Sequence, residues 1–67
     1  MATMKVIELM ANSEKSCEDA VKNAVKTAAK SVQNIRSVYV KDQTAHVTGE
    51  EITDYRVIVK VTFEVKS

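Results

Sequence analysis

One cysteine, one histidine and nine carboxylates are the side chains here that could act as nucleophile, acid, base or metal ligand. Cys17 and His46 suggest a thiolate activated by an imidazole, which requires contact between them and a third group to orient the ring. Their placement supplies neither. Cys17 falls on an apolar stripe and reads as a small core residue, and His46 reads as a rim residue near a turn. The carboxylates stand singly apart from Glu18-Asp19 and Glu50-Glu51, and neither pair has the spacing of an acid and a base on one face. Asp42, Glu50, Glu51 and Asp54 flank a turn. Several copies around an axis would let them gather oxygen ligands for a hard cation such as calcium, although a solvated acidic rim is the plainer reading. Tyr39 and Tyr55, with no tryptophan, make a poor platform for stacking bases. Ten basic and nine acidic residues leave a net charge of +1, without the basic excess of a nucleic-acid surface. These residues predict a non-enzymatic protein with no nucleic-acid partner.

The elements that must position these groups follow from periodicity. Lys5 to Met10 is aliphatic and β-branched, ends in the polar run Ala11 to Lys15, and predicts a first strand. Ser16 stands three residues before Asp19, an approximate capping box, with Ser13 as a competing cap. Cys17, Ala20, Val21, Ala24, Val25, Ala28 and Val32 then trace one face of a helix over Cys17 to Val32, with Lys22, Lys26 and Lys30 on the far side. From Ile35 the period becomes two. After the glycine turn Thr48-Gly49-Glu50, Tyr55, Val57, Val59, Val61, Phe63 and Val65 alternate with Asp54, Arg56, Ile58, Lys60, Thr62 and Glu64. The order β-α-β-β predicts an α+β fold over residues 1–67, a three-stranded antiparallel sheet packed on one helix, with the last strand central.

Size decides how such a fold is completed. A chain of 67 residues buries only about 60% of its unfolded surface, and a core that thin needs a disulfide, a metal or a partner subunit. One cysteine forms no internal disulfide, and one cysteine with one histidine falls short of a structural zinc site. A helix over Cys17 to Val32 spans about 24 Å, whereas Ile52 to Val65 extends about 46 Å. Apolar ends near Tyr55 or Phe63 would stay uncovered, so closed self-assembly is expected. No apolar run approaches the roughly 18 residues of a membrane span. Met1-Ala2-Thr3-Met4-Lys5 lacks a secretory apolar segment, so no membrane partner and a cytoplasmic, reducing location are expected, with Cys17 a free thiol.

Lys5-Val6-Ile7-Glu8-Leu9, Ser13-Glu14-Lys15-Ser16 leading into Asp19-Ala20-Val21-Lys22-Asn23-Ala24, Asn34-Ile35-Arg36, and Tyr55-Arg56-Val57 through Val61-Thr62-Phe63 together resemble the dodecin family. The resemblance covers nearly the whole chain and implies a hollow homododecamer that stores, buffers or protects a small ligand. Flavin-binding members hold riboflavin, its breakdown products or FMN, and some bind coenzyme A. In them a tryptophan after the Asn-Ile-Arg segment stacks on the isoalloxazine, and a glutamine after the tyrosine of the last strand pairs with its polar edge. Here those positions hold Ser37 and Arg56. The resemblance further implies Asp42 near the ligand's side chain, His46 near the pocket and Arg36 beside the stacking position. Losing the indole removes a large apolar contact, worth roughly 1–3 kcal/mol by analogy with base stacking. Arg56 donates but cannot accept, so it cannot reproduce both halves of an amide pairing. The chain is therefore similar to the branch that lacks the tryptophan, which includes calcium dodecins. The expected function is sequestration of a small ligand or ion by a homododecamer, with flavin affinity weakened or lost. The alternative is riboflavin or FMN storage with Tyr39 supplying the stacking.

Overall fold

The computed structural model describes residues 2–66. Its elements run β1 (Thr3–Ser13), α1 (Cys17–Ala28), β2 (Ile35–Thr48) and β3 (Glu51–Val65). The strands form one antiparallel sheet in the order β1-β3-β2, so the strand with the longest apolar alternation lies in the middle, as expected.

Residue types explain where α1 begins. The Ser16 hydroxyl accepts from the Asp19 amide at 2.9 Å, the side-chain cap that satisfies one of the free N–H groups at a helix start. The second half of the capping box is replaced. Asp19 does not reach back to Ser16 but accepts from the Ser13 hydroxyl at 2.6 Å, while Ser13 Oγ accepts from the Lys15 amide at 2.9 Å. Both serines thus act in the β1–α1 connection. That bond holds the Asp19 carboxyl below the usual carboxylate range, aided by Lys15, Lys22 and Lys26 and opposed by desolvation.

The helix is shorter than the periodicity predicts, ending at Ala28 rather than Val32. The chain leaves it through tight bonds from the Lys30 amide to the Thr27 carbonyl and from the Ser31 and Val32 amides to that of Ala28. Val32 still packs on the core, so it keeps its place on the apolar stripe outside the helix. Asn34 then adopts φ 62°, a left-handed conformation that asparagine tolerates, and its carbonyl accepts from the Glu64 amide. This starts β2 alongside β3.

The core consists of Ala20, Ala24 and Ala28 against Val57, Val59 and Val61, all essentially fully buried. Alanine at the three fully buried helix positions lets the axis approach the sheet, and each buried valine stabilises by about 1.5–3 kcal/mol. Ile7, Leu9, Ala11, Val38 and Val40 flank this cluster. Tyr55 and Phe63, expected to stay uncovered, are half-buried. Tyr55 gains Ser13 of β1 as its strand partner, and residues 31–34 fold next to Phe63. The exposed apolar side chains lie elsewhere, at Val47, Ile52 and Val65 and, on the face away from the helix, at Met4, Val6, Met10 and Tyr39.

The protomer is elongated, 51 × 19 × 13 Å with a radius of gyration of 13.7 Å, against about 11 Å for a compact chain of this length. Its accessible surface is 5052 Å², about 850 Å² more than the roughly 4,200 Å² expected of a folded monomer of its mass.

Candidate functional site

Strand register gathers side chains on the sheet face opposite α1. Directly opposed residues share a face, and with Val57, Val59 and Val61 turned to the helix, the alternate residues of β3 define the open face. Asn12, Arg56 and Thr44 form one row, and Met10, Ile58 and Asp42 the next. Glu8, Lys60 and Tyr39 follow, then Val6, Thr62 and Ser37, while His46 stands opposite Asp54 beyond the first row. A β-bulge between Val40 and Asp42 turns Asp42 onto this face although Val40 belongs to the core.

The first two rows form a concavity of about 120 Å³ lined by Met10, Asp42, Thr44, Arg56, Val57 and Ile58. A second, more open depression shares Met10 and Arg56 and adds Ala11 and Asn12. Small-molecule sites enclose about 300–1,000 Å³, and the two depressions, of about 120 and 280 Å³, each fall below that range taken singly. The floor is apolar and the rim carries one cation, one carboxylate and one hydroxyl.

Arg56 is held at its root. Its Nε donates to Asp54 Oδ2 at 3.2 Å, and the same carboxylate accepts from Asn12 Nδ2 at 3.2 Å. The backbone of Asn12 is fixed in turn, since its main-chain carbonyl accepts from Asn23 Nδ2 of α1 at 3.3 Å. The terminal N–H groups of Arg56 have no hydrogen-bond partner among the described residues. They remain available to a carboxylate, a phosphate or a carbonyl, the groups that a planar guanidinium recognises.

Of the site residues expected from sequence, Asp42 and Arg56 line the same concavity, and His46 lies beside it across from Asp54. Ser37 and Arg36 do not join them within one chain. Ser37 faces Thr62, six residues along β3 from Arg56 and thus about 20 Å away. Arg36 sits in the bulge between Ile35 and Ser37, where its guanidinium donates to Glu64 Oε1 at 2.8 and 3.2 Å. Lys66 adds a contact at 3.2 Å. Arg36 first and Lys66 second hold the Glu64 carboxyl below the usual range, against some desolvation.

Met10, Asn12 and the anchoring role of Asp54 were not evident from sequence. One signal was present: Ile58 interrupts the otherwise polar series of β3, marking where the open face turns apolar. Cys17 and His46 stand apart, the thiol packed against the helix-side core and the imidazole on a row of the open face. Among the described residues no group of three or more His, Cys, Asp or Glu side chains is placed to hold a metal ion, and no helix is long and apolar enough to cross a membrane.

Comparison with known proteins gives one consistent answer. The family model described as Dodecin matches residues 3–66. A solved variant of the T. thermophilus dodecin superposes with a TM-score of 0.93 at 24% identity, covering 100% of both chains. The dodecin of Streptomyces coelicolor gives 0.90 at 21% identity, covering 98% of this chain and 94% of its own. The calcium dodecin of Mycobacterium tuberculosis, described as a calcium-chelating immunodominant antigen with a calcium-binding site, gives 0.80 at 34% identity over 96% of this chain and 91% of its own. No curated protein matches.

Proposed function

Since the chain belongs to the dodecin family, we propose that it is a non-enzymatic binding protein whose copies close into a homododecamer and sequester a small ligand or ion at the open sheet face, with flavin affinity weak or lost. The observation that carries this reading is the composition of the concavity. Arg56 presents free donors over an apolar floor of Met10 and Ile58, and no aromatic side chain lines it. Arg36, Ser37, Asp42, His46 and Arg56 remain the proposed ligand-contacting residues. Because Ser37 and Arg56 stand about 20 Å apart along β3, one small ligand touches both only where two copies meet. The small volume of the single-chain concavity supports the same arrangement.

The ligand that fits combines an anionic or carbonyl group for Arg56 with a donor for Asp42 and an apolar body for Met10 and Ile58. Calcium is the ion suggested by the M. tuberculosis relative. The described residues of one copy do not supply such a site: calcium takes six to eight oxygens, and Asp54, the most enclosed carboxylate near the concavity, is already bonded to Asn12 and Arg56. A calcium site in this protein therefore draws its oxygens from several copies.

A second reading, storage of riboflavin or FMN, is favoured by Tyr39. This exposed ring lies on the open face, in the row between the Ser37 row and the concavity. Titration of riboflavin and FMN by fluorescence quenching separates the two. The leading reading predicts no saturation below micromolar concentration, whereas submicromolar binding contradicts it and supports the second. Native mass spectrometry of unsupplemented protein shows whether a ligand or ion accompanies the assembly, and a calcium titration by calorimetry tests the ion directly.

A further inference from the structure

The concavity on the open face holds two opposite charges that do not neutralise each other. Asp42 and Arg56 both line it. Asp42 stands opposite Ile58, and Arg56 is two residues from Ile58 on the same face of β3, so the two are diagonal neighbours with Cβ atoms about 7–8 Å apart. A long side chain covers that distance, yet among the described residues Asp42 has no ion pair. Arg56 is held the other way along β3, where its Nε donates to Asp54, and Asp54 also accepts from Asn12. A bulge between Val40 and Asp42 turns the carboxylate onto this face, and bulges re-aim side chains next to sites. The result is a guanidinium with free terminal N–H groups and a carboxylate with no charged partner, set apart over the apolar Met10 and Ile58. The Thr44 hydroxyl stands opposite Arg56 on the same rim.

From this arrangement we infer that the concavity selects a small zwitterion with an apolar body, the chemistry of an apolar α-amino acid. Its carboxylate sits on the Arg56 terminal N–H groups and the Thr44 hydroxyl, its ammonium on Asp42, and its side chain on Met10 and Ile58. The inference rests on the sequestration reading above and names the ligand class of that same site. A lone anion at Arg56 also faces the Asp42 carboxylate, and a lone cation at Asp42 also faces the guanidinium, so each meets a like charge. A ligand carrying both charges meets two opposite ones instead. One charge-assisted hydrogen bond at each end, about 2.7–2.9 Å long, lets a molecule of that size join the two side chains.

Isothermal titration of the protein with L-leucine tests it against three compounds that each lack one feature: isocaproate without the ammonium, isoamylamine without the carboxylate, and glycine without the apolar body. L-Leucine should bind at least tenfold more tightly than each, the loss expected from one hydrogen bond to a charged group or from an unburied leucine side chain. Asp42→Asn should weaken L-leucine and tighten isocaproate, cutting the margin between them to under threefold with an unchanged far-UV circular dichroism spectrum. Arg56→Gln should do the same to the margin over isoamylamine. A purely structural role of either residue would move all the compounds together. No binding of L-leucine, a wild-type margin under tenfold, or a margin that survives the substitutions overturns the inference. Native mass spectrometry of unsupplemented protein then separates this failure from that of the wider reading. A different ligand or ion, released by Arg56→Gln, leaves sequestration at this face standing, and an empty assembly that also ignores L-leucine overturns both.

Discussion

The two faces of this sheet are built from neighbouring residues of the same strand and behave differently. On one side Val57, Val59 and Val61 meet three alanines of α1 and are closed to solvent. On the other, Arg56, Ile58 and Lys60 share their face with Met10, Asp42 and Tyr39, and among the described residues no further element packs over them. The middle of the covered face is complete in a single copy, because a short alanine-lined helix matches the middle of β3, whereas Val65 near its end stays exposed. The open face mixes apolar and polar side chains. In the proposed function stability resides on the first and recognition on the second, one residue apart.

The largest expected effect breaks the covered face. Val59→Asp puts an unpaired carboxylate where no water reaches, a cost of several kcal/mol, and should leave no cooperative thermal transition. Lys60→Ala, one residue along and pointing the other way, should change stability by about 0.5 kcal/mol or less. Equal losses in the two variants would erase the distinction between the faces.

Next comes the open face. Ser37→Trp restores an aromatic surface at the position where flavin-binding members carry one, and stacking of about 1–3 kcal/mol should tighten FMN binding roughly tenfold or more by fluorescence quenching, with melting little changed. No gain in affinity would show that Ser37 does not border the ligand.

Smaller effects come from the ends of the elements. Ser16→Ala removes the side-chain cap of α1 and should cost about 1 kcal/mol in urea unfolding, lowering the midpoint at constant slope. Glu64 gives a pH signature. Its folded pKa is depressed, chiefly by Arg36, so its contribution is present above the ordinary glutamate value of about 4.3 and is lost as pH falls through the lower folded value. Glu64→Gln should therefore flatten the acid side of the melting-temperature profile. A profile that matches the wild type would mean that the Arg36 pair does not stabilise the fold.

The sequence revealed most where a pattern was local. The alternation from Tyr55 to Val65 needs only neighbouring residues to be read, and it predicted the central strand. The stripe from Cys17 to Val32 did the same for the helix, but it overran the end at Ala28 because Val32 keeps its apolar role through a turn rather than as a helical residue. The length of β2 was less visible. Thr44, Ala45, His46 and Val47 alternate too weakly to announce a strand, and it is their pairing with β3 that makes them one. The site was legible only in part, because its geometry depends on register between strands far apart in sequence. Arg56 and Asp42 could be named from the resemblance, whereas the Asp54 and Asn12 support of the guanidinium exists only once β1 and β3 are aligned. Ser37 and Arg56, which the resemblance joins in one pocket, lie too far apart in one chain to do so.

Whether the open face is finished by other copies is settled most directly by the mass of the dilute, untagged protein in size-exclusion chromatography with light scattering. The account predicts a single species many times heavier than the 7.4 kDa chain, near the mass of twelve chains, with little material eluting as single chains. A well-folded species of 7.4 kDa that persists on concentration would contradict it.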